Sequence, residues 1–227
     1  MLISYSHRFL FVHVWKVAGT SIRETLRPFA HDPSKTPANR ILRAIRLPFR
    51  WPAPKSREFD SHTPARELRG KLPRAVFREF FKFAFVRNPW ELLVSRYHYI
   101  VQSKTHPRHA VVNSLGGFPE YLQWLVRQDK VLQQDFLVDE HGHLLVDFVG
   151  RYERLEADFR EICHRLGICA QLKSLNSSRH CDYRTYYDRR TVKFVADHFR
   201  DDIERFNYTF DQATCSRSAV PAMRPAA

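Results

Sequence analysis

Two short stretches combine cations with hydroxyls at spacings that suit a bound anion. The first is Lys16-Val17-Ala18-Gly19-Thr20-Ser21. A turn between a strand and a helix aims backbone N–H groups at an anion, and the helix dipole adds to the attraction. Gly19 lets the backbone approach closely. Lys16 supplies a point charge, and Thr20 and Ser21 supply hydroxyl donors. The lysine precedes the glycine here, whereas a Walker A loop ends in GK[ST], so the magnesium arrangement of an NTPase is not evident. An ordinary capped helix start would also account for Thr20 and Ser21. The second stretch is Phe85-Val86-Arg87-Asn88-Pro89-Trp90, followed by Ser95 and Tyr97. Arg87 falls where a buried strand ends, the ligand edge of a parallel sheet. Ser95 falls two turns into the next helix, so a guanidinium fork and a hydroxyl could meet one phosphate. The alternative is a strand-end ion pair at Arg87 and a surface serine at Ser95.

The elements that must position these groups follow from patterning. Phe9 to Val14 reads as a short buried strand. A helix should follow the loop, with Ile22 and Leu26 on one face and Pro28 closing it. Phe80 to Val86 reads as a second buried strand, and Pro89 opens a helix carrying Leu92, Ser95, Arg96 and Tyr99. Pro64 to Leu72 and Phe118 to Arg127 are predicted helices, and Leu144 to Val149 is a third strand candidate. A helix from about Glu153 to Leu166 ends at Gly167. A last helix is predicted over Arg189 to Phe206, with Val192, Val195, Phe199, Ile203 and Phe206 inward. Strands alternating with helices imply an α/β fold, a single three-layer domain over 1–212 with a central, mainly parallel sheet. Residues 213–227 read as a disordered tail.

Residues 31–60 differ, because Pro33, Pro37, Pro48, Pro52 and Pro54 break regular structure. Within them Arg40, Arg43 and Arg46 recur every three residues, with Leu42, Ile45 and Phe49 between. That is either a solvated helical face or a basic flap for an acidic acceptor or an anionic surface.

Composition bounds the rest. The 227 residues carry 37 Lys and Arg against 24 Asp and Glu, a net charge of +13. Such a surface attracts nucleotides, acidic glycans, nucleic acid or anionic membranes, and charge alone does not choose among them. With 44% hydrophobic and 27% charged residues, the chain is an ordinary globular sequence rather than a disordered one. Cys163, Cys169, Cys181 and Cys215 form no CxxC pair and no zinc spacing, so reduced thiols and no metal are expected. The apolar run from Phe9 to Trp15 is interrupted by His13 and too short to span a bilayer. A soluble, cytoplasmic protein is the expectation.

Taken together, KxxGTS after one strand and VRNPxxxxxSxY after a later one resemble the sulfotransferases, specifically the carbohydrate (membrane-type) superfamily. Asp147 to Glu153 with Leu155 looks like the family's later strand-to-helix segment, and Arg205 to Phe210 like its C-terminal phrase. The resemblance spans nearly the whole chain, with 31–60 least covered. It departs at Trp15, where the family commonly has Pro, and at Leu92, where it often has Arg. The expected lack of an N-terminal anchor resembles the soluble bacterial members. The resemblance implies a P-loop-like fold and the sulfate donor 3′-phosphoadenosine 5′-phosphosulfate (PAPS), with no metal. It places Lys16, Val17, Ala18, Gly19, Thr20 and Ser21 at the donor's 5′ end, and Arg87 and Ser95 at its 3′-phosphate. Arg179, in a polar loop after a helix, matches the family's late nucleotide-contacting segment or is a solvated loop arginine. Tyr183, Tyr186 and Tyr187 could pack on adenine or belong to a core.

The acceptor implied is a hydroxyl, on a glycan or other glycoconjugate. Sulfuryl transfer resembles phosphoryl transfer, so the protein positions the donor, stabilises the leaving phosphate and removes one proton. Lys16 is the candidate for leaving-group stabilisation. His62, in Ser61-His62-Thr63-Pro64, is the candidate base, since an imidazole titrates in the right range. Similar glycan-directed enzymes place a catalytic His in this stretch. A cap or surface histidine is the alternative, and His31, Glu58 and Asp60 are the next candidates. Competing functions are a P-loop-type small-molecule kinase, a basic nucleic-acid-binding module, and a sulfotransferase that has lost catalysis.

Overall fold

The computed structural model describes residues 1–30, 59–128, 130–173 and 181–211. His31, Arg40, Arg43, Arg46, Glu58 and Arg179 lie outside these residues, as does everything from 212 onward.

A four-stranded sheet sits at the centre, in the order β1-β2-β3-β4. The strands are β1 (Leu2–Ser4), β2 (Phe9–Val12), β3 (Phe81–Val86) and β4 (Phe148–Arg151). β2, β3 and β4 run parallel, and β1 pairs antiparallel with β2 at the edge. Phe9, Leu10, Phe11 and Val12 are all buried, so both faces of β2 are covered and its alternating side chains are uniformly apolar. A parallel sheet demands this, because its crossovers lay helices on both faces. Lys82 is the polar exception in β3, and its ammonium reaches the Phe80 carbonyl and the Asp147 carboxylate, each at 2.8 Å. β3 and β4 approach closely because β4 carries Gly150, where a side chain would collide with the Phe85 ring.

The helices are α1 (Gly19–Leu26), α2 (Ala65–Lys71), α3 (Arg74–Glu79), α4 (Pro89–Gln102), α5 (His109–Asn113), α6 (Phe118–Gln128), α7 (Leu155–Leu166), α8 (Arg189–His198) and α9 (Arg200–Arg205). One core joins the sheet to Ile22 and Leu26 of α1, Leu68 of α2 and Phe159 and Ile162 of α7. A second core gathers Leu93 and Val94 of α4, Tyr121 and Leu125 of α6 and Val195 of α8. α4 touches both, since Leu92 packs against the first core and Leu93 against the second. It is therefore the wall between the sheet and the helical half.

Several elements differ from the patterning. Strand β2 stops at Val12 rather than Val14. The predicted strand from Leu144 begins only at Phe148. Leu144 instead bridges back to Val138, and the Leu145 N–H donates to the Leu137 carbonyl at 2.7 Å. The local turn at Gly142, with φ +81°, folds this segment onto its own predecessor before it reaches the sheet. The single C-terminal helix is two, broken at Phe199 (φ −116°, ψ 24°). The break brings Asp202 to the backbone N–H groups of Gln133 and Gln134, at 2.7 and 2.9 Å. Strand β1 and helices α3 and α5 were not legible, being short. Tyr183 is buried in the second core, and the Tyr187 hydroxyl donates to the Trp90 carbonyl at 2.8 Å, so these aromatics are core residues. Among the described residues no helix is long and apolar enough to cross a membrane. Among the described residues Cys163, Cys169 and Cys181 form no disulfide.

Candidate active site

The parallel strands β2 and β3 end at one edge, and their C-terminal continuations line a cavity of about 680 Å³. Lys16, Ala18, Gly19, Thr20 and Ser21 line it from the first motif, and Arg87 and Ser95 from the second. His62 joins them from the loop before α2. Val17 is buried in the core beneath and anchors the loop from behind. Asp60 does not line the cavity, and its carbonyl instead accepts from the Thr63 hydroxyl at 3.0 Å.

The first motif leaves the sheet as a strained turn. Lys16 (φ 59°) and Ala18 (φ 60°) both adopt the left-handed conformation, which costs about 1 kcal/mol or more for each non-glycine residue. Ala18 caps α1 with no side-chain hydrogen bond, so Thr20 and Ser21 are not caps but lie in the first turn. Left-handed residues leading into a helix start without a side-chain cap make a concavity that suits an anion. Gly19 is required because a side chain there would fall inside the His13 imidazole. The Lys16 ammonium lies 4.0 Å from the centre of the Tyr99 ring. Burial, then the nearby Arg87 charge, lowers its pKa to about 8.

The second motif is braced from several sides. Asn88 caps α4 by accepting from the Trp90 N–H at 3.1 Å, and Pro89 follows at the position where a missing N–H costs nothing. The Asn88 N–H donates to Glu153 at 2.6 Å, and its side-chain amide donates to the Thr209 carbonyl at 2.9 Å. Tyr208 donates to the other Glu153 oxygen at 3.1 Å. The late Tyr152-Glu153 pair and the C-terminal Tyr208-Thr209 pair thus converge on one strand end. Gln133 holds Arg87 by both backbone groups, at 2.9 and 2.8 Å. The Arg87 guanidinium donates to Glu91 at 2.8 Å and to the Lys16 carbonyl at 3.2 Å, and lies 3.9 Å from the Tyr152 ring centre. Arg87 is therefore both an ion pair and a cavity wall, and it ties the two motifs together.

His62 bonds through Nδ1 to the His13 carbonyl at 2.9 Å. A carbonyl only accepts, so Nδ1 carries the proton and Nε2 presents a lone pair. Burial is the largest influence on His62 and lowers its pKa, which keeps the imidazole neutral. Its ring lies 4.3 Å from that of His13 and 5.8 Å from Trp15. Trp15, the departure from the family pattern, is a cavity wall whose indole also stands 5.3 Å from the Arg96 guanidinium.

Sequence reasoning treated His13 only as an interruption of an apolar run, and it did not bring Arg96, Tyr99, His106 or Arg108 to the site. All five line the cavity. A polar ring in the last positions of a buried strand was the one available signal for His13. Among the described lining residues Lys16, Arg87, Arg96 and Arg108 are cationic and none is Asp or Glu. Such a lining attracts anions.

A model of the Sulfotransferase family matches residues 1–209. The chain belongs to that family. Among curated relatives it is 28% identical over 184 residues to mouse carbohydrate sulfotransferase 14, covering 71% of this chain and 45% of that one. The human protein of that name is 27% identical over 184 residues, again 71% and 45%. The chain thus spans under half the length of these named relatives. An uncharacterized protein of Archaeoglobus fulgidus is 28% identical over 130 residues, covering 53% of this chain and 97% of its own. Among solved structures, mouse sulfotransferase SULT7A1 complexed with PAP superposes with a TM-score of 0.52 at 16% identity, covering 89% of this chain and 86% of the other. That likeness establishes the shared sulfotransferase fold.

Proposed function

We propose that the protein transfers a sulfuryl group from PAPS to a hydroxyl of a carbohydrate acceptor. The observation that carries the reading is the single cationic cavity in which the 16–21 loop, Arg87 with Ser95, and His62 meet. Membership of the Sulfotransferase family supports it, as do relatives that act as carbohydrate sulfotransferases and a fold neighbour that holds PAP.

In this reading the loop N–H groups and the Gly19, Thr20 and Ser21 start of α1 cradle the 5′-phosphosulfate. Arg87 and Ser95 hold the 3′-phosphate. Lys16 leaves the Tyr99 ring for the oxygen that bridges phosphate and sulfur, where charge grows as the bond breaks. A bound dianion also raises the lysine's depressed pKa and secures its charge. His62 Nε2 accepts the acceptor proton.

Calorimetric titration with 3′-phosphoadenosine 5′-phosphate (PAP), ATP and AMP, without magnesium, tests the donor site. Binding of PAP at least about tenfold tighter than ATP is expected, about 1.4 kcal/mol. Preference for ATP would replace this reading with a kinase. For the base, His62→Ala should lower turnover by about 10²-fold or more while sparing PAP affinity, and wild-type turnover would remove His62 from the role.

A further inference from the structure

His13 is buried, stacked on Phe11 at 5.6 Å and tilted against His62 at 4.3 Å between ring centres. An imidazole in such a sandwich could be replaced by a phenyl ring if packing were its whole purpose. Its polarity instead carries a cost, because Nδ1 is sealed from solvent with no hydrogen-bond partner among the described residues. Nε2 is the ring atom nearest the place a Gly19 side chain would occupy, and the residue lines the cavity. The two nitrogens therefore have different surroundings, and this fixes the tautomer. A proton on Nδ1 would be an orphaned buried N–H, the rarer and costlier defect, whereas a lone pair there is better tolerated. The proton belongs on Nε2.

His62 has the opposite tautomer, since its Nδ1–H donates to the His13 carbonyl at 2.9 Å. The two rings thus form a pair with one outward lone pair and one outward N–H. Burial, and after it the neighbouring His62, lowers the His13 pKa to about 3, so the ring stays a neutral donor.

The location selects what it donates to. The base must reach a hydroxyl that attacks sulfur, and the loop beside Gly19 must hold the phosphate that leaves. The group between them is the sulfuryl, and the His13 ring spans that interval. We propose that His13 is a catalytic residue, donating a hydrogen bond from Nε2 to the sulfuryl oxygens of the donor, an inference that rests on the sulfotransferase reading above. During transfer the acceptor hydroxyl proton passes to His62 Nε2 and the acceptor oxygen–sulfur bond forms. The sulfur–oxygen bond to the 5′-phosphate breaks, and its electron pair stays on the phosphate near Lys16. His13 keeps its proton throughout, and its bond strengthens as charge gathers on the equatorial oxygens.

The test needs no acceptor. PAP and PAPS differ only by the sulfuryl group, so calorimetry with both nucleotides isolates the contact. His13→Phe should weaken PAPS binding by about ten- to a hundredfold, the loss of one hydrogen bond to a charged group, and leave PAP within about twofold. His13→Gln, whose amide nitrogen replaces Nε2, should retain PAPS affinity within about threefold. Equal loss of both nucleotides in His13→Phe would mean a merely structural role, and unchanged PAPS binding would remove the contact. If the wild type bound neither nucleotide, the sulfotransferase reading itself would fall, and this inference with it. Long-range ¹H–¹⁵N spectra of the wild type supply a check that no misfolded variant can spoil. They should show His13 protonated on Nε2 and His62 on Nδ1, and the same tautomer at both would overturn the assignment.

Discussion

The two ends of the cavity, assigned in the proposed function to the two phosphate groups of the donor, are built in opposite ways. At the Arg87 end, Gln133, Glu91, Tyr152, Glu153 and Thr209 all hold the strand terminus and its arginine. At the Lys16 end stand two left-handed non-glycine residues and a helix start without a side-chain cap. The braced end resembles a permanent socket, fixed before the nucleotide arrives. The strained end resembles a catalytic loop, whose lysine rests on Tyr99 until a phosphate draws it away. The contrast fits a division between binding and chemistry: a static phosphate is best met by preorganised groups, and a changing one by donors not already committed.

Three perturbations would sharpen or break that contrast. Arg87→Ala should have the largest effect, because it leaves Glu91 buried beside an empty socket. A loss of about 3 kcal/mol in stability is expected, read by denaturant melting, with PAP affinity falling by about a hundredfold or more. A folded variant that binds PAP normally would show that the braced end is structural only. Lys16→Ala should act mainly on the chemical step, lowering kcat by about 10²- to 10³-fold with a smaller change in PAP affinity. The same lysine sets a pH dependence. Its unliganded pKa is about 8, so below that pH it is charged and ready for the anion. Above it, binding must also take up a proton, so PAP affinity should decline as pH rises through 8 and the decline should vanish in Lys16→Ala. A flat profile in the wild type would contradict the buried-lysine geometry. Gly19→Ala should lower stability by about 1–3 kcal/mol as the new methyl displaces the His13 ring. Turnover should fall by more than that stability loss explains, because the displaced ring sits against His62. Thermal melting and turnover measured on the same sample would separate the two.

Much of this was legible in the chain itself. The strand into Lys16, the helix from Pro89 and the Gly167 stop are local features, set by steric preferences that act over a few residues. The Leu144 strand was misread because periodicity does not say which partner an extended segment pairs with, and a hairpin partner was nearer than the sheet. The single helix over 189–206 was misread because its apolar rows continue across Phe199, while Asp202 is drawn aside by two backbone N–H groups near residue 133.

The sequence by itself determined the residue types of the proposed donor site and the cationic character of two strand–turn–helix units, because those depend on neighbours within one or two turns. Only the tertiary structure decided that the His62 ring bonds the carbonyl of His13, 49 positions away, and that Glu153 and Thr209 brace Asn88. Those pairings arise when parallel strands end at a common edge, and no spacing along the chain encodes which distant side chains meet there.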